Sequence, residues 1–387
     1  MPALALAAAG TTAKARLVVR RNLATLGADD PALRALRLAA GRARRAAGSP
    51  PAGWAGFVAQ HAAICGSGGA GGGHGGALVL PWHRAYLHLV EAWLQRLAGD
   101  RRIALPYWDW TRDRRIPAAF TRAGDPLADP TRRAGRDDEL PADLADAGPA
   151  LRARSLEALA GSPRPDDSDF SALGLLAATA AGNVRNWAGG NLGDCSGAAS
   201  DVLYLAHCAN VDRLWEAWRD ADPARAAVPE PFRGVSVTLR DSERAAKRFA
   251  MAALADPARL GYRYDDLRVE AAPRDEPSAG GARHAVLRFS RAQLPGLPAT
   301  FRVFLNNRNA LPATRPEGST YASTCTIFPE DADAEVAVPL EVSAEMGQRI
   351  AVQAGVSVTL VLVPLPGRPP APRPIWVADP ELTLPAA

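Results

Sequence analysis

Residues 80–87, Leu80-Pro81-Trp82-His83-Arg84-Ala85-Tyr86-Leu87, open the segment that decides the fold. Pro81 suits the first turn of a helix, where its missing N–H costs no hydrogen bond. Apolar side chains then recur every three or four residues as far as Leu97, which predicts a long amphipathic helix with one buried face. His83 lies in the first turn of that helix.

Two further histidines precede this helix. His61 lies on the apolar face of a predicted helix that begins near Trp54, and His74 lies in a loop, residues 65–77, in which eight of thirteen residues are glycine. A helix, a loop and a second helix can bring three imidazoles to one point, and three neutral imidazoles suit zinc, copper or iron. Each histidine can equally be a core or capping residue, and the spacing alone leaves that alternative open.

The remaining sequence divides into a helical part and a β part. Helices are predicted over 31–45, 171–187 and 201–220, with a long irregular stretch at 112–170. Short β-type runs follow the helical part. The predicted divisions are a loose tail over 1–16, a helical domain over 17–270, a linker over 271–283, and a β domain with a Pro-rich tail over 284–387. The predicted strands are Val286–Phe289, Phe301–Leu305, Thr324–Phe328, Val336–Val342 and Val356–Val363.

Composition excludes several classes of function. The 45 basic and 41 acidic residues give a net charge of +4 and are interspersed, so no nucleic-acid groove is predicted. No apolar run reaches the 18 or so residues of a membrane span, and the amino terminus lacks the basic region of a signal peptide. Four cysteines in 387 residues are not a disulfide framework, which favours a reducing, cytoplasmic location. Only two lysines, with abundant Ala, Gly and Pro, indicate a GC-rich and hence bacterial coding sequence.

Several motifs together resemble the tyrosinase and polyphenol oxidase family. His61–Cys65, His74, Leu80–Leu87 and Glu91 resemble its first copper half-site, and Pro106–Trp110 resembles its next motif. Asn186–Gly190 and Asn210–Trp215 resemble the second half-site region. Leu260–Asp266 resembles the connector of plant-type polyphenol oxidases. The β segment resembles their C-terminal domain.

The resemblance implies a four-helix bundle followed by a small all-β domain, a sandwich or a barrel. It implies a copper oxidoreductase that acts on a phenolic or related aromatic small molecule with O2 or peroxide. In this family each of two coppers is held by three histidines, and His61, His74 and His83 match the ligands of the first. In plant-type relatives a cysteine in this region forms a thioether with the second of these histidines, which implies a Cys65–His74 crosslink. The alternative is a free buried thiol, and Cys195 is likewise expected as a buried thiol.

The second half-site departs from the family pattern. Its three ligand positions fall on Ala181, Arg185 and Cys208, and its water-orienting glutamate falls on Ala177. Ala181 offers no donor atom, and Arg185 brings a permanent cation with no acceptor. One copper rather than two is therefore predicted, and ordinary two-copper diphenolase activity is not expected. Arg185 and Cys208 remain as candidate catalytic residues there, whereas His207 is predicted to pack in the core.

Two questions stay open at this level. Arg185 can pair with an internal acid such as Asp212, or it can hold an anionic group of a substrate. The whole protein can be an enzyme, or it can be a catalytically inactive metal-binding or partner-binding scaffold that kept the bundle.

Overall fold

The computed structural model describes residues 17–45, 53–65, 78–152, 169–222, 225, 233–270, 282–329, 335–352, 355–368 and 373–384. The predicted tail over 1–16 and most of the predicted linker, residues 271–281, lie outside these ranges. Within them, the chain has a helical part and a β part, as the sequence predicts. None of the described helices combines the length and the apolar character that a membrane crossing requires.

The helical part is built around α3, which contains the deciding stretch. It begins at Val79, two residues before the predicted start, and Pro81 lies in its first turn as expected. It ends where Gly99 adopts a left-handed conformation (φ 68°) and the Asp100 N–H donates to the Gln95 carbonyl at 3.0 Å. The helices are α1 Pro31–Arg45, α2 Trp54–Cys65, α3 Val79–Ala98, α4 Gly148–Arg152, α5 Asp169–Ala188, α6 Leu203–Asp220, α7 Met251–Leu254 and α8 Ala344–Ala351.

Helix α3 packs against α1, α5 and α6, and one hydrophobic core joins them. Large aromatic side chains fill this core, among them Phe57, Tyr86, Trp108 and Trp187, all almost fully buried. Burying side chains of this size supplies much of the driving force for folding, and it fixes the helix faces that point inward.

The strands are β1 Val18–Arg20, β2 Ser236–Arg240, β3 Ala246–Ala250, β4 Tyr262–Tyr264, β5 Ala282–Ser290, β6 Ala299–Leu305, β7 Tyr321–Ile327, β8 Glu335–Ser343, β9 Val358–Leu362, β10 Ile375–Trp376 and β11 Glu381–Thr383. The first four belong to the helical part, where β1 pairs with β4 in parallel and β2 pairs with β3 as a hairpin.

The β part is a sandwich. Strands in the order β10-β9-β6-β7 form one sheet, and strands in the order β11-β5-β8 form the other. Apolar residues of both sheets, such as Leu287, Phe301 and Leu360, meet in a single core. The predicted strand runs are confirmed, because each coincides with or overlaps one of β5 to β9.

The sandwich rests on α5. The side-chain amide of Asn183 donates to the carbonyl of Thr324 at 3.0 Å and accepts from the hydroxyl of Thr326 at 2.9 Å. A Cβ atom at Gly182 would lie 3.1 Å from the ring of Phe328, so the glycine allows a close approach. The β part therefore covers the helix that carries Ala181 and Arg185.

Candidate metal centre

Helices α2 and α3 bring two of the predicted metal ligands together. His61 is fully buried on α2 and His83 is nearly so on α3, and their ring centroids lie 6.0 Å apart. The Nε2 atoms of both rings converge on a single atom, the hydroxyl oxygen of Tyr204 on α6. The distance is 2.5 Å from His61 and 3.0 Å from His83.

Local contacts set the protonation of His83. Its Nδ1 lies 2.7 Å from the backbone carbonyl of Val79, which can only accept, so Nδ1 carries the proton. Burial, with the nearby charge of Arg185, lowers the pKa of His83 to about 4. The neutral ring therefore directs the lone pair of Nε2 at the Tyr204 oxygen, and this is the tautomer that a metal ligand needs.

The third predicted ligand, His74, lies outside the described residues, as does the glycine-rich loop from 66 to 77. Within the described part of the chain, no three His, Cys, Asp or Glu side chains form a group that could hold a metal ion. The described part of the centre consists of two imidazoles and one phenol.

The expected Cys65–His74 thioether is not what the structure shows. Cys65, the last residue of α2, is bonded to Cys195 in a disulfide with a Cα–Cα distance of 5.8 Å. The prediction failed because the partner lies 130 residues away in sequence, and only the packing of α2 beside the segment after α5 brings it close.

The second half-site region holds a buried cation. Arg185 is 8% exposed, and its Nε donates to the carbonyl of Leu192 at 3.0 Å. Its Nη2 is buried with no hydrogen-bond acceptor in the described structure. The guanidinium carbon lies 6.0 Å from the ring centre of Tyr204 and 5.2 Å from that of Phe328. Arg185 therefore faces the two-imidazole centre from one side and the β part from the other.

The proposed pairing of Arg185 with Asp212 is absent from the described structure. The Asp212 carboxylate instead binds Arg84 at 2.6 Å and Arg20 at 3.2 Å. It also accepts hydrogen bonds from two tyrosine hydroxyls, Tyr262 and Tyr264, each at 2.6 Å. These partners occupy the acid, and they hold its pKa below the usual range despite burial.

Cys208 and His207 are both buried on α6. Burial raises the pKa of the Cys208 thiol to about 12, so the side chain is a neutral thiol near pH 7. His207 stacks on Trp110 with ring centroids 6.1 Å apart, as expected of a core residue. Burial and Arg185 lower the pKa of His207 to about 3, and its Nδ1 has no hydrogen-bond partner among the described residues.

Comparison with known proteins shows what the helical part resembles. Residues 51–150 and 159–221 match the model of the common central domain of tyrosinase. We therefore call the helical part the tyrosinase-like domain. Two proteins similar to it are (+)-larreatricin hydroxylase of Larrea tridentata, 27% identical over 227 residues, and catechol oxidase B of Solanum tuberosum, 29% identical over 174 residues. The matches cover 51% and 37% of this chain, but only 39% and 30% of the relatives. The chain thus spans two fifths or less of these curated relatives.

The fold likeness extends through the β part. Latent apple tyrosinase superposes with a TM-score of 0.67 at 18% identity, covering 96% of this chain and 98% of that one. Latent aurone synthase gives 0.63 at 17% identity, covering 95% and 90%. The tyrosinase-like domain and the β sandwich that follows it therefore share the architecture of latent plant polyphenol oxidases.

The sequence did not predict two features of the tyrosinase-like domain. One is the set of side chains around Asp212, in which Arg20 also binds Glu91 at 3.0 Å and Arg84 also binds Glu216 at 2.6 Å. These charges fix α3 to α6, directly beside His83. The other is Tyr204, which lies one helical turn before Cys208, and that spacing was the available signal.

Proposed function

We propose that this chain is a copper oxidoreductase that acts on a phenolic or related aromatic small molecule with O2 or peroxide. The observation that carries the proposal is the convergence of the His61 and His83 Nε2 atoms on one point. Neutral imidazole nitrogens that converge in this way suit copper, and His74 is the proposed third ligand. The name of one similar protein, catechol oxidase B, supports the same class of substrate.

The proposed site holds one copper. On the second half-site, Ala181 has no donor, Arg185 is a cation, and the thiol of Cys208 is protonated. A second metal ion there would face a buried guanidinium with no anion between them. When bound, one copper supplies one-electron redox chemistry and a coordination position for the oxidant, so the coupled reaction of a copper pair is not expected.

The chain's own residues supply binding and orientation. The Val79 carbonyl fixes the ring of His83, and the Asp212 carboxylate fixes Arg84 on the same helix. Arg185, buried with an unfilled donor, is the proposed anchor for an anionic group such as the carboxylate of an aromatic acid. Phe328 of the β part lies against Arg185 and limits access of water from that side.

One observation favours a second candidate, an inactive scaffold. The Tyr204 hydroxyl already lies within hydrogen-bond distance of both imidazoles, so the described centre is internally satisfied. A protein that uses the bundle only to bind a partner would not need a metal ion at this centre.

Copper stoichiometry tests the proposal. We expect about one Cu(II) per chain after loading and removal of free metal, with an EPR signal of an isolated ion. His83→Ala is expected to lose the metal, because two remaining imidazoles seldom hold copper against a chelator. His88→Ala removes a half-buried imidazole on another face of α3; it is the matched control and should keep the metal. No uptake by the wild-type chain would favour the scaffold, and an EPR-silent pair at two ions per chain would contradict the single site.

A further inference from the structure

Tyr204 lies between the two imidazoles, although it is not one of the ligand positions of either half-site. Its ring is packed edge-on to His61 with centroids 4.7 Å apart, and its side chain is 2% exposed. The hydroxyl oxygen is the atom on which both imidazole nitrogens converge. A metal ion held by His61 and His83 must therefore either displace this phenol or bind it.

We propose that Tyr204 is a ligand of the metal, so that its phenolate oxygen completes a site with the Nε2 atoms of His61 and His83. The assignment rests on the proposed copper site, and it adds an anionic oxygen donor to the imidazoles. When the metal(II) ion binds, the O–H bond of Tyr204 breaks and a metal–oxygen bond forms. The proton leaves to solvent, and neither the metal nor the phenol changes oxidation state.

Burial raises the pKa of Tyr204, so the phenolate depends on the charge of a bound metal ion. A divalent metal on neutral imidazoles would place two positive charges in a buried region, beside a third on Arg185. An uncompensated charge in such surroundings is costly. The acid on the same helix, Asp212, is already committed to Arg20 and Arg84. Tyr204 is the described group that can bring a negative charge to the point where the metal would lie.

Hydrogen bonding leads to the same assignment. The lone pair of His83 Nε2 is directed at the Tyr204 oxygen, and His61 Nε2 is directed at the same atom from α2. The hydroxyl gives its one proton to His83 Nε2, so His61 Nε2 carries a proton and donates to the oxygen. When a cation binds between these three atoms, the hydroxyl proton leaves and the His61 proton moves to Nδ1, so that all three atoms present lone pairs to the cation.

Cys208 is the rival anionic donor. It lies one turn after Tyr204 on α6 and is a buried thiol. The Tyr204 oxygen, however, lies within hydrogen-bond distance of the Nε2 atoms of both His61 and His83.

The test is the visible spectrum of the full chain titrated with copper(II) sulfate under argon. A Cu(II)–phenolate bond gives a charge-transfer band that imidazole ligands alone do not give. We expect the band in the wild type and its complete loss in Tyr204→Phe. Tyr86→Phe is the matched control, because Tyr86 is a buried tyrosine whose ring lies 6.2 Å from that of His61. Cys208→Ala should also keep the band.

Resonance Raman of the wild type, excited in that band, gives a readout that depends on no variant. Tyrosinate ring modes support the assignment. One bound Cu(II) with no such modes, or with a spectrum that Tyr204→Phe shares, overturns the ligand while leaving the proposed copper site intact. A wild-type chain that takes up no copper overturns the proposed function and the ligand assignment together.

Discussion

The first and second half-site regions differ in how their buried polar atoms are satisfied. In the first, His61 and His83 contact Tyr204, and the neighbouring Arg84 binds two carboxylates. In the second, Arg185 Nη2 and His207 Nδ1 are buried with no partner in the described structure. Unfilled buried donors cost stability. The first region also contains one such atom, Arg20 Nη2, but its guanidiniums are paired with carboxylates. In the second region, no carboxylate of the described residues pairs with the buried Arg185.

The largest effect is expected from breaking the support of the first region. Asp212→Ala would leave the guanidiniums of Arg20 and Arg84 buried without their shared carboxylate. Removing one partner of a buried ion pair costs about 3–5 kcal/mol, so the free energy of unfolding should fall by that amount in urea denaturation. Glu139→Ala, which removes two surface ion pairs, with Arg114 and Arg115, is the control and should cost less than about 1 kcal/mol. Equal losses in the two variants would show that the ion network does not support the first region.

The disulfide is the second support of the first region. Cys195→Ser should lower the free energy of unfolding by about 2–4 kcal/mol, because the bond restricts the unfolded chain. Reductant should cause the same loss in the wild type and no further loss in the variant. Peptide mass spectrometry of the oxidised wild type should find Cys65 joined to Cys195. Cys65 linked to His74 instead would support the predicted thioether and would show that the disulfide does not stabilise the first region.

Arg185 gives the sharpest test of the second region. Without ligand, Arg185→Leu should raise the free energy of unfolding by about 1–3 kcal/mol, since an apolar side chain replaces an uncompensated buried charge. With a bound aromatic carboxylic acid this gain should shrink, because the variant loses about 1.5–3 kcal/mol of affinity by calorimetry. Arg185→Lys keeps the charge and should retain part of the affinity. Unchanged affinity of Arg185→Leu for the acid would show that Arg185 does not bind the carboxylate.

The effect expected from His207 is confined to acidic pH. Its folded pKa of about 3 lies below the unfolded value near 6.5, so the unfolded chain binds a proton that the folded chain does not. Its stabilising contribution is full above pH 6.5 and falls by about 1.4 kcal/mol per pH unit as the pH drops towards 3. His207→Phe keeps a ring against Trp110 and should make the loss of stability between pH 6 and 4.5 shallower. Parallel wild-type and variant profiles would show that His207 accepts a proton in the folded state.

The sequence predicted the parts of this molecule that depend on local pattern. The apolar period after Pro81 gave α3, and the β-type runs gave the sandwich strands, because side-chain periodicity reports which face is buried. His61 and His83 were placed at one point from their helices. Cys195 and Tyr204 were missed, since each contacts α2 only through the packing of the whole bundle, and no local pattern records such distant pairs. The alternative pairing of Arg185 with Asp212 failed for a related reason: β1 and β4 supply Arg20 and two tyrosines to that acid.

The bond between Cys65 and Cys195 makes part of the chain a covalent ring. It closes residues 65 to 195 into a ring that contains α3 and His83, whereas α6 with Tyr204 lies on the linear part beyond it. A single cleavage by a protease anywhere inside the ring opens it without releasing a fragment. The histidines contributed by α2 and α3 then remain on one molecule until the disulfide is reduced, so one cleavage inside the ring does not separate them.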